Sequence, residues 1–327
     1  MIELFGTLGP ACSDTDTLQI MFENGMSGMR LNLSHAGLAE SRDLILRFQS
    51  AASAAGAKPE LLIDLQGPEL RVNTLPEPVV FANGSTFPVQ DLPVPQNVAE
   101  ALEDGDEVLL DDGKIALRVQ GDQLAVERGG TLQSRKSVKI TGKSLPMPAL
   151  TETDRKNLSL AVSCGVSAVM QPFVRGADDI RTVRAALAEN NAEHIRIFSK
   201  IENREGLSRI DEIIDCSDMI VIARGDLGND VPLSELPGVQ KDIAAKCRAK
   251  GIPFLVVTQM LTSMIHNPVP TRAEVSDIFN AVTDGCSAVM VTNETAVGSY
   301  PADVIRVMKE TTEAAEHWLA SKKNAGQ

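Results

Sequence analysis

Residues 195–226 read IRIFSKIENREGLSRIDEIIDCSDMIVIARGD. Two apolar, β-branched-rich runs stand in it, Ile195–Ser199 and Met219–Ala223. Each hands over at once to polar residues. Lys200 and Glu202 follow the first run, and Arg224-Gly225-Asp226 follows the second. Short apolar runs of this kind, separated by amphipathic stretches, predict parallel strands joined by helices.

The same texture extends in both directions. Further runs lie at Ile2–Leu8, Met29–Leu33, Leu61–Asp64, Ser167–Gln171, Phe254–Val257 and Ala288–Val291, which makes eight candidate strands. Helix signals fall between them. Ser13-Asp14 precedes Thr17–Glu23, with Gly25 as a stop. Thr151-Glu152 opens a helix through Val162, stopped by Gly165. Thr271 opens another through Val282, stopped by Gly285. Eight strand–helix units predict a closed (β/α)8 TIM barrel rather than an open sheet. After the third run the pattern breaks. Residues 72–140 carry short alternating runs, Glu107–Leu110, Lys114–Val119 and Gln123–Glu127, split by Asn83-Gly84, Asp111-Asp112-Gly113 and Gly121-Asp122. This predicts a small all-β lid domain inserted into a barrel made of residues 1–71 and 141–327.

Composition narrows the function classes. Hydrophobic residues make up 43% of 327, enough for a large core. Aromatics at 3% argue against a base-stacking surface, and a net charge of −13 argues against general binding to nucleic acid or an anionic membrane. The five cysteines, Cys12, Cys164, Cys216, Cys247 and Cys286, are scattered without a C-x-x-C pair. No secretory leader pattern opens the chain, so a reducing, cytoplasmic location is expected.

Barrels of this kind place their chemistry where the strands end. The residues there are Arg30, Asn32, Ser34 and His35 after the second run, and Asp64, Gly67, Glu69 and Arg71 after the third. Arg175 follows the fourth run, and Lys200 with Glu202 the fifth. Asp226 follows the sixth, Thr258-Gln259 the seventh, and Thr292, Asn293 and Glu294 the eighth. Glu202 and Asp226, on adjacent strands, could share one Mg²⁺, which takes few protein carboxylates and fills its shell with substrate oxygens and water. Lys200 and Arg30 would meet anionic oxygens. Gly225-Asp226-Leu227-Gly228 reads as a helix start whose free N–H groups could receive a carboxylate. Such a set suits phosphoryl transfer, which needs positioning and charge neutralisation. Taken alone, Lys200 and Glu202 could equally be a structural ion pair. Gly142-Lys143-Ser144 mimics the tail of a phosphate-binding loop, but the required earlier glycine is Ser137.

In its motifs the chain resembles the pyruvate kinase family over nearly its whole length. The matching runs are Thr7–Ala11, Arg30–His35, Asp64–Arg71, Ser199–Asn203, Ala223–Gly228, Thr258–Leu261, Pro270–Glu274 and Asn293–Thr295. The resemblance implies a phosphotransferase that moves a phosphoryl group from phosphoenolpyruvate to ADP, giving pyruvate and ATP. It implies that Lys200 stabilises the phosphoryl group, that Arg30 contacts it, and that Glu202 and Asp226 hold Mg²⁺ (or Mn²⁺). Thr258 and the backbone at Gly225 and Asp226 would receive the substrate carboxylate, and Thr292 would relay a proton. Asn32, Ser34, Asp64 and Leu65 match a K⁺ site, with Asn32, His35, Arg71 and Lys136 near the nucleotide. Glu69 implies K⁺ dependence.

Departures from the family pattern are Gln66 for Lys, Ala36 for Gly, Pro172 for Ser and Asn293 for Gly. The sequence ends at Gln327, where typical members continue into a C-terminal α/β domain. No sugar-phosphate effector control is therefore expected, and a homodimer would form through the barrel near Thr271–Asp277. Two other functions fit the same residues. One is a metal-dependent lyase or decarboxylase acting on a 2-oxo acid, and the other is a non-catalytic metabolite-binding homologue.

Overall fold

The computed structural model describes residues 1–143 and 145–325. Three parallel strands come first: β1 (Glu3–Thr7), β2 (Gly28–Asn32) and β3 (Glu60–Asp64). Seven short strands follow: β4 (Val79–Phe81), β5 (Thr86–Pro88), β6 (Glu107–Leu110), β7 (Ile115–Gln120), β8 (Gln123–Arg128), β9 (Gly130–Leu132) and β10 (Val138–Ile140). The parallel pattern then resumes with β11 (Val166–Gln171), β12 (Arg196–Ile201), β13 (Met219–Ala223), β14 (Phe254–Val257) and β15 (Ala288–Met290). The order β1-β15-β14-β13-β12-β11-β3-β2 closes on itself, giving the (β/α)8 barrel.

The strands of the closed barrel are apolar on both faces. One set of twelve buried side chains, among them Phe5, Leu62, Met170, Phe198, Leu255 and Met290, fills the interior. Twelve is the number expected for three layers of four. The opposite faces join the helices in a second, larger core that includes Leu31, Ile63, Ile197, Ile222 and Val256. Burying each such side chain contributes roughly 1.5–3 kcal/mol. A plug of packed side chains leaves polar residues only at the rim.

Helix ends follow their capping residues. Asp14 accepts the Thr17 N–H at 2.8 Å and starts helix Thr15–Glu23. Thr151 with Asp154, and Thr271 with Glu274, form reciprocal capping boxes at the starts of Glu152–Leu160 and Arg272–Thr283. The first of these helices ends at Leu160, short of Val162. The fifth strand reaches Ile201, so Lys200 lies within it rather than after it. The short helix after β13 begins at Arg224, one residue before the glycine. No described helix is long and apolar enough to cross a membrane.

The seven inserted strands form an antiparallel sheet, β10-β6-β7-β8-β5, and a separate pair, β4-β9. They bury their own core, including Val72, Val98, Leu110, Leu117, Leu124 and Ile140. Asp111, Asp112 and Gly113 all take positive φ (49°, 55° and 78°) to turn β6 into β7. Asp and Gly tolerate that region best, which explains the turn signal. The strands β4, β5 and β9 and the helix Gln96–Glu100 have no counterpart in the sequence reading. Each is five residues or shorter, too short to show a period.

Candidate active site

Strand register assembles the first part of the site. In the β1–β2 pairing Thr7 lies beside Arg30, and in the β2–β3 pairing Asn32 lies beside Asp64. Arg30 donates to Asp64 Oδ2 through Nε at 2.8 Å and approaches it through Nη2 at 2.7 Å. Lys200, from the far side of β11, places Nζ 3.1 Å from the same oxygen and 3.0 Å from Glu202 Oε1. The exposures of the Lys200, Asp64 and Glu202 side chains are only 12%, 3% and 1%.

Low exposure makes these charges matter. Burial pushes the Asp64 carboxyl upward, but Lys200 and Arg30 outweigh it and hold it below the ordinary range. Burial opposes the Lys200 ammonium, yet Asp64 and Glu202 hold it protonated well above its ordinary value. Glu202 is pushed up to about 8 by burial, with Asp226 and Asp64 adding to the push and Lys200 opposing it. Negative charge is in excess at Glu202, although Lys200 touches it.

The second carboxylate lies across from Glu202. Asp226 interacts electrostatically with both Glu202 and Lys200. Its side chain accepts no hydrogen bond from any described residue, whereas Glu202 Oε2 accepts the Phe173 N–H at 2.9 Å. Two carboxylates crowding one another, one of them without a donor, fit a hard divalent cation. Glu202 and Asp226 are the residues that would hold it. Among the described residues no group of three or more His, Cys, Asp or Glu is placed to hold a metal ion. For a monovalent cation, the oxygen donors of Asn32, Ser34, Asp64 and Leu65 fit a hard ion, and register makes Asn32 and Asp64 neighbours. Asn32 Oδ1 also accepts the Ser34 N–H at 3.1 Å.

The seventh and sixth strand ends are bolted together. Thr258 Oγ accepts the Gly225 N–H at 2.8 Å and donates to the Val257 carbonyl at 2.6 Å. Arg224 donates to the Thr258 carbonyl at 2.8 Å and to Asp277 at 2.7 Å. Thr258 and Gln259 sit at φ 75° and 55°. A β-branched residue there is strained by about 1–3 kcal/mol, a cost characteristic of functional loops. The Gly225 N–H is thus already engaged. The Asp226 N–H, also in the first helical turn, has no intrahelical partner.

At the eighth strand end, Thr292 donates its N–H at 2.8 Å and its hydroxyl at 3.3 Å to Glu294 Oε2. Glu294 is buried and also accepts the Leu261 N–H at 3.2 Å. Asn293 begins the short helix Asn293–Ala296. At the third strand end, Gln66 and Gly67 donate to the buried Asp154 at 2.8 and 3.0 Å. Gly67, at φ 58°, packs so close to Pro172 that an added Cβ would stand 2.5 Å from its ring.

The residues matched to nucleotide binding are less tightly gathered. Arg71 pairs with Glu69 at 2.6 Å and donates to the Arg135 carbonyl at 2.9 Å. Lys136 is held within the inserted sheet by Asp111 at 2.9 Å. His35 is exposed. In the phosphate-loop mimic, Lys143 is bound by Glu103 and Asp106, each at 2.9 Å, and Ser144 lies outside the described residues.

A family model described as pyruvate kinase, barrel domain, matches residues 2–305. The chain belongs to the pyruvate kinase family. It is 38% identical to the pyruvate kinase of Sporosarcina psychrophila over 94% of this chain and 56% of that protein. Against the Geobacillus stearothermophilus pyruvate kinase it is 37% identical, over 95% of this chain and 57% of that one. The Aeropyrum pernix pyruvate kinase is 37% identical, with 98% of this chain and 72% of that protein covered. The chain therefore spans about half the length of the first two relatives.

Two features of this pyruvate kinase family site escape a reading of strand ends. Asp64 is the shared counter-ion of Arg30 and Lys200, and its contact with Lys200 joins strands that are not neighbours. Lys139 of β10 pairs with Asp230 at 3.1 Å, joining the inserted sheet to the loop after β13. The one available signal was Lys139 itself, a lone charge between Val138 and Ile140 in an alternating run.

Proposed function

We propose that the chain is a phosphotransferase that moves the phosphoryl group of phosphoenolpyruvate to ADP, giving pyruvate and ATP. The observation that carries the reading is the Lys200 ammonium, buried between Asp64 and Glu202 with Arg30 on the same Asp64 oxygen. A fully protonated lysine and an arginine, fixed at the mouth of a dry plug, neutralise the oxygens of a phosphoryl group as it passes between two anions. The P–O bond to the enol oxygen breaks and a P–O bond to the terminal phosphate of ADP forms. The enolate left behind takes a proton at C3.

Chain groups account for the remaining roles. Thr258 and the Asp226 N–H orient the substrate carboxylate. Thr292, aligned by Glu294, moves the proton toward C3. When bound at Glu202 and Asp226, Mg²⁺ or Mn²⁺ supplies Lewis-acid charge to substrate oxygens, and K⁺ at Asn32, Ser34, Asp64 and Leu65 adds fixed positive charge. Residues 72–140, with Arg71 and Lys136, act as a lid that covers the nucleotide and excludes water. A cytoplasmic location belongs to this reading, in keeping with five free cysteines. Self-association through the barrel near Thr271–Asp277 is part of the same reading.

The test is ATP formation from phosphoenolpyruvate across several nucleoside diphosphates, with Mg²⁺ and K⁺. Turnover with ADP supports the reading, and no turnover with any nucleotide overturns it. Nucleotide-independent release of pyruvate from oxaloacetate would favour a decarboxylase.

A further inference from the structure

The chemistry proposed above leaves one buried charged cluster unused. Asp230 lies after β13, past Asp226, and its side chain is only 7% exposed. Three elements converge on it. Its Oδ1 meets Lys139 Nζ of β10 at 3.1 Å. Its Oδ2 accepts the backbone N–H of Arg204 at 3.1 Å, and its own carbonyl accepts Arg204 Nε at 2.6 Å. The Lys139 ammonium makes a further donation, to the backbone carbonyl of Asp226 at 3.3 Å.

The topology gives these contacts their meaning. Arg204 lies just beyond Glu202 in the connection after β12, and Asp226 lies in the short helix that begins the connection after β13. Those two connections carry the two candidate divalent-cation carboxylates. Lys139 belongs to the inserted sheet and to neither connection. Lys139, Asp226, Asp230 and Arg204 all line a cavity of about 150 Å³ between the sheet and the barrel, which also reaches Glu69. With Lys139 20% and Asp230 7% exposed, the pair is more sheltered than surface pairs such as Arg118–Glu127, and removing one partner of a sheltered pair costs more than removing one of an exposed pair.

We propose that Lys139 and Asp230 form a clamp that couples the position of the inserted sheet to the spacing of Glu202 and Asp226. Both are positioning residues. Asp230 ties the two carboxylate-bearing connections to each other, and Lys139 ties them to the sheet. The cation site is thus at full affinity only while the sheet is docked. Residues that orient a metal's direct ligands ordinarily govern affinity in this way. The proposal rests on the reading that Glu202 and Asp226 hold the divalent ion.

Two measurements test it without turnover. The first is Mn²⁺ binding to the nucleotide-free protein, followed by electron paramagnetic resonance. Lys139→Met is expected to weaken Mn²⁺ about tenfold, and Lys139→Arg to recover most of the loss. The second is the distance distribution between spin labels at Asp122→Cys, in the sheet, and Lys156→Cys, on a barrel helix, in a Cys216→Ser background. Both labelled positions are exposed. Lys139→Met is expected to broaden that distribution. Asp230→Asn, acting from the barrel side, should reproduce both effects.

Wild-type Mn²⁺ affinity with an unchanged distance distribution in Lys139→Met would overturn the clamp. Broadening without loss of affinity would overturn the coupling. If the unmutated protein binds no Mn²⁺, the metal reading fails by itself. The distance measurement then decides the clamp, with an unchanged distribution counting against it and a broadened one for it.

Discussion

The barrel mouth and the inserted sheet treat charge in opposite ways. At the mouth, Arg30, Asp64, Lys200 and Glu202 are buried against one another, and each leans on at least one of the others. In the sheet, a charged pair such as Arg118–Glu127 stands in solvent, while an apolar core carries the stability. Exposed pairs contribute little, about 0–1 kcal/mol each, whereas breaking a buried pair is expensive. The mouth concentrates buried charge, and the sheet holds its shape through an apolar core.

Substitutions can break or sharpen that contrast. The largest expected effect is at the mouth. Asp64→Asn removes the counter-ion of two buried cations and should cost about 3–5 kcal/mol in chemical denaturation, with loss of activity. Next is the sheet. Leu117 is fully buried in its core, and Leu117→Ala should cost about 2–5 kcal/mol. Because that core is separate, calorimetry should show the loss in a transition that leaves barrel unfolding unmoved. A single transition shifted as a whole would show that the two bodies unfold together.

Two smaller effects lie far from both. Thr271 caps helix Arg272–Thr283, and Thr271→Ala should cost about 1 kcal/mol with little change in turnover. Its partner Glu274 is pushed up by burial, but hydrogen bonds from Ser263 and Thr271 outweigh this and hold it below its ordinary value of 4.5. Its contribution is therefore complete above pH 4.5 and is lost as pH falls through the lowered value. Glu274→Gln should flatten that part of the acid limb in a stability-versus-pH series. An unaltered limb would assign the acid sensitivity to other carboxylates.

How much of this was legible depends on distance along the chain. All eight barrel strands could be read, since runs such as Met219–Ala223 and Phe254–Val257 are apolar on both faces and match the observed bounds. Placement of Lys200, Glu202 and Asp226 at the rim followed from the same runs. The sharing of Asp64 between Arg30 and Lys200 was not legible. Lys200 reaches it across β11, a contact set by closure and stagger of the barrel. The left-handed backbone of Thr258 was hidden too, because a β-branched residue normally avoids that region. In the sheet, turn residues marked β6–β8, but strands as short as β4 and β9 carry no pattern of their own.

Lys200, set between Asp64 and Glu202, is proposed to serve phosphoryl transfer. Phosphorus NMR tests it directly, by following phosphoenolpyruvate and ADP with the unmutated protein and with Lys200→Met under identical Mg²⁺ and K⁺. The phosphoenolpyruvate resonance is expected to be replaced by those of ATP with the unmutated protein, and about 10³-fold more slowly with Lys200→Met. Persistence of phosphoenolpyruvate with a folded, unmutated protein, or equal rates for the two proteins, would contradict it.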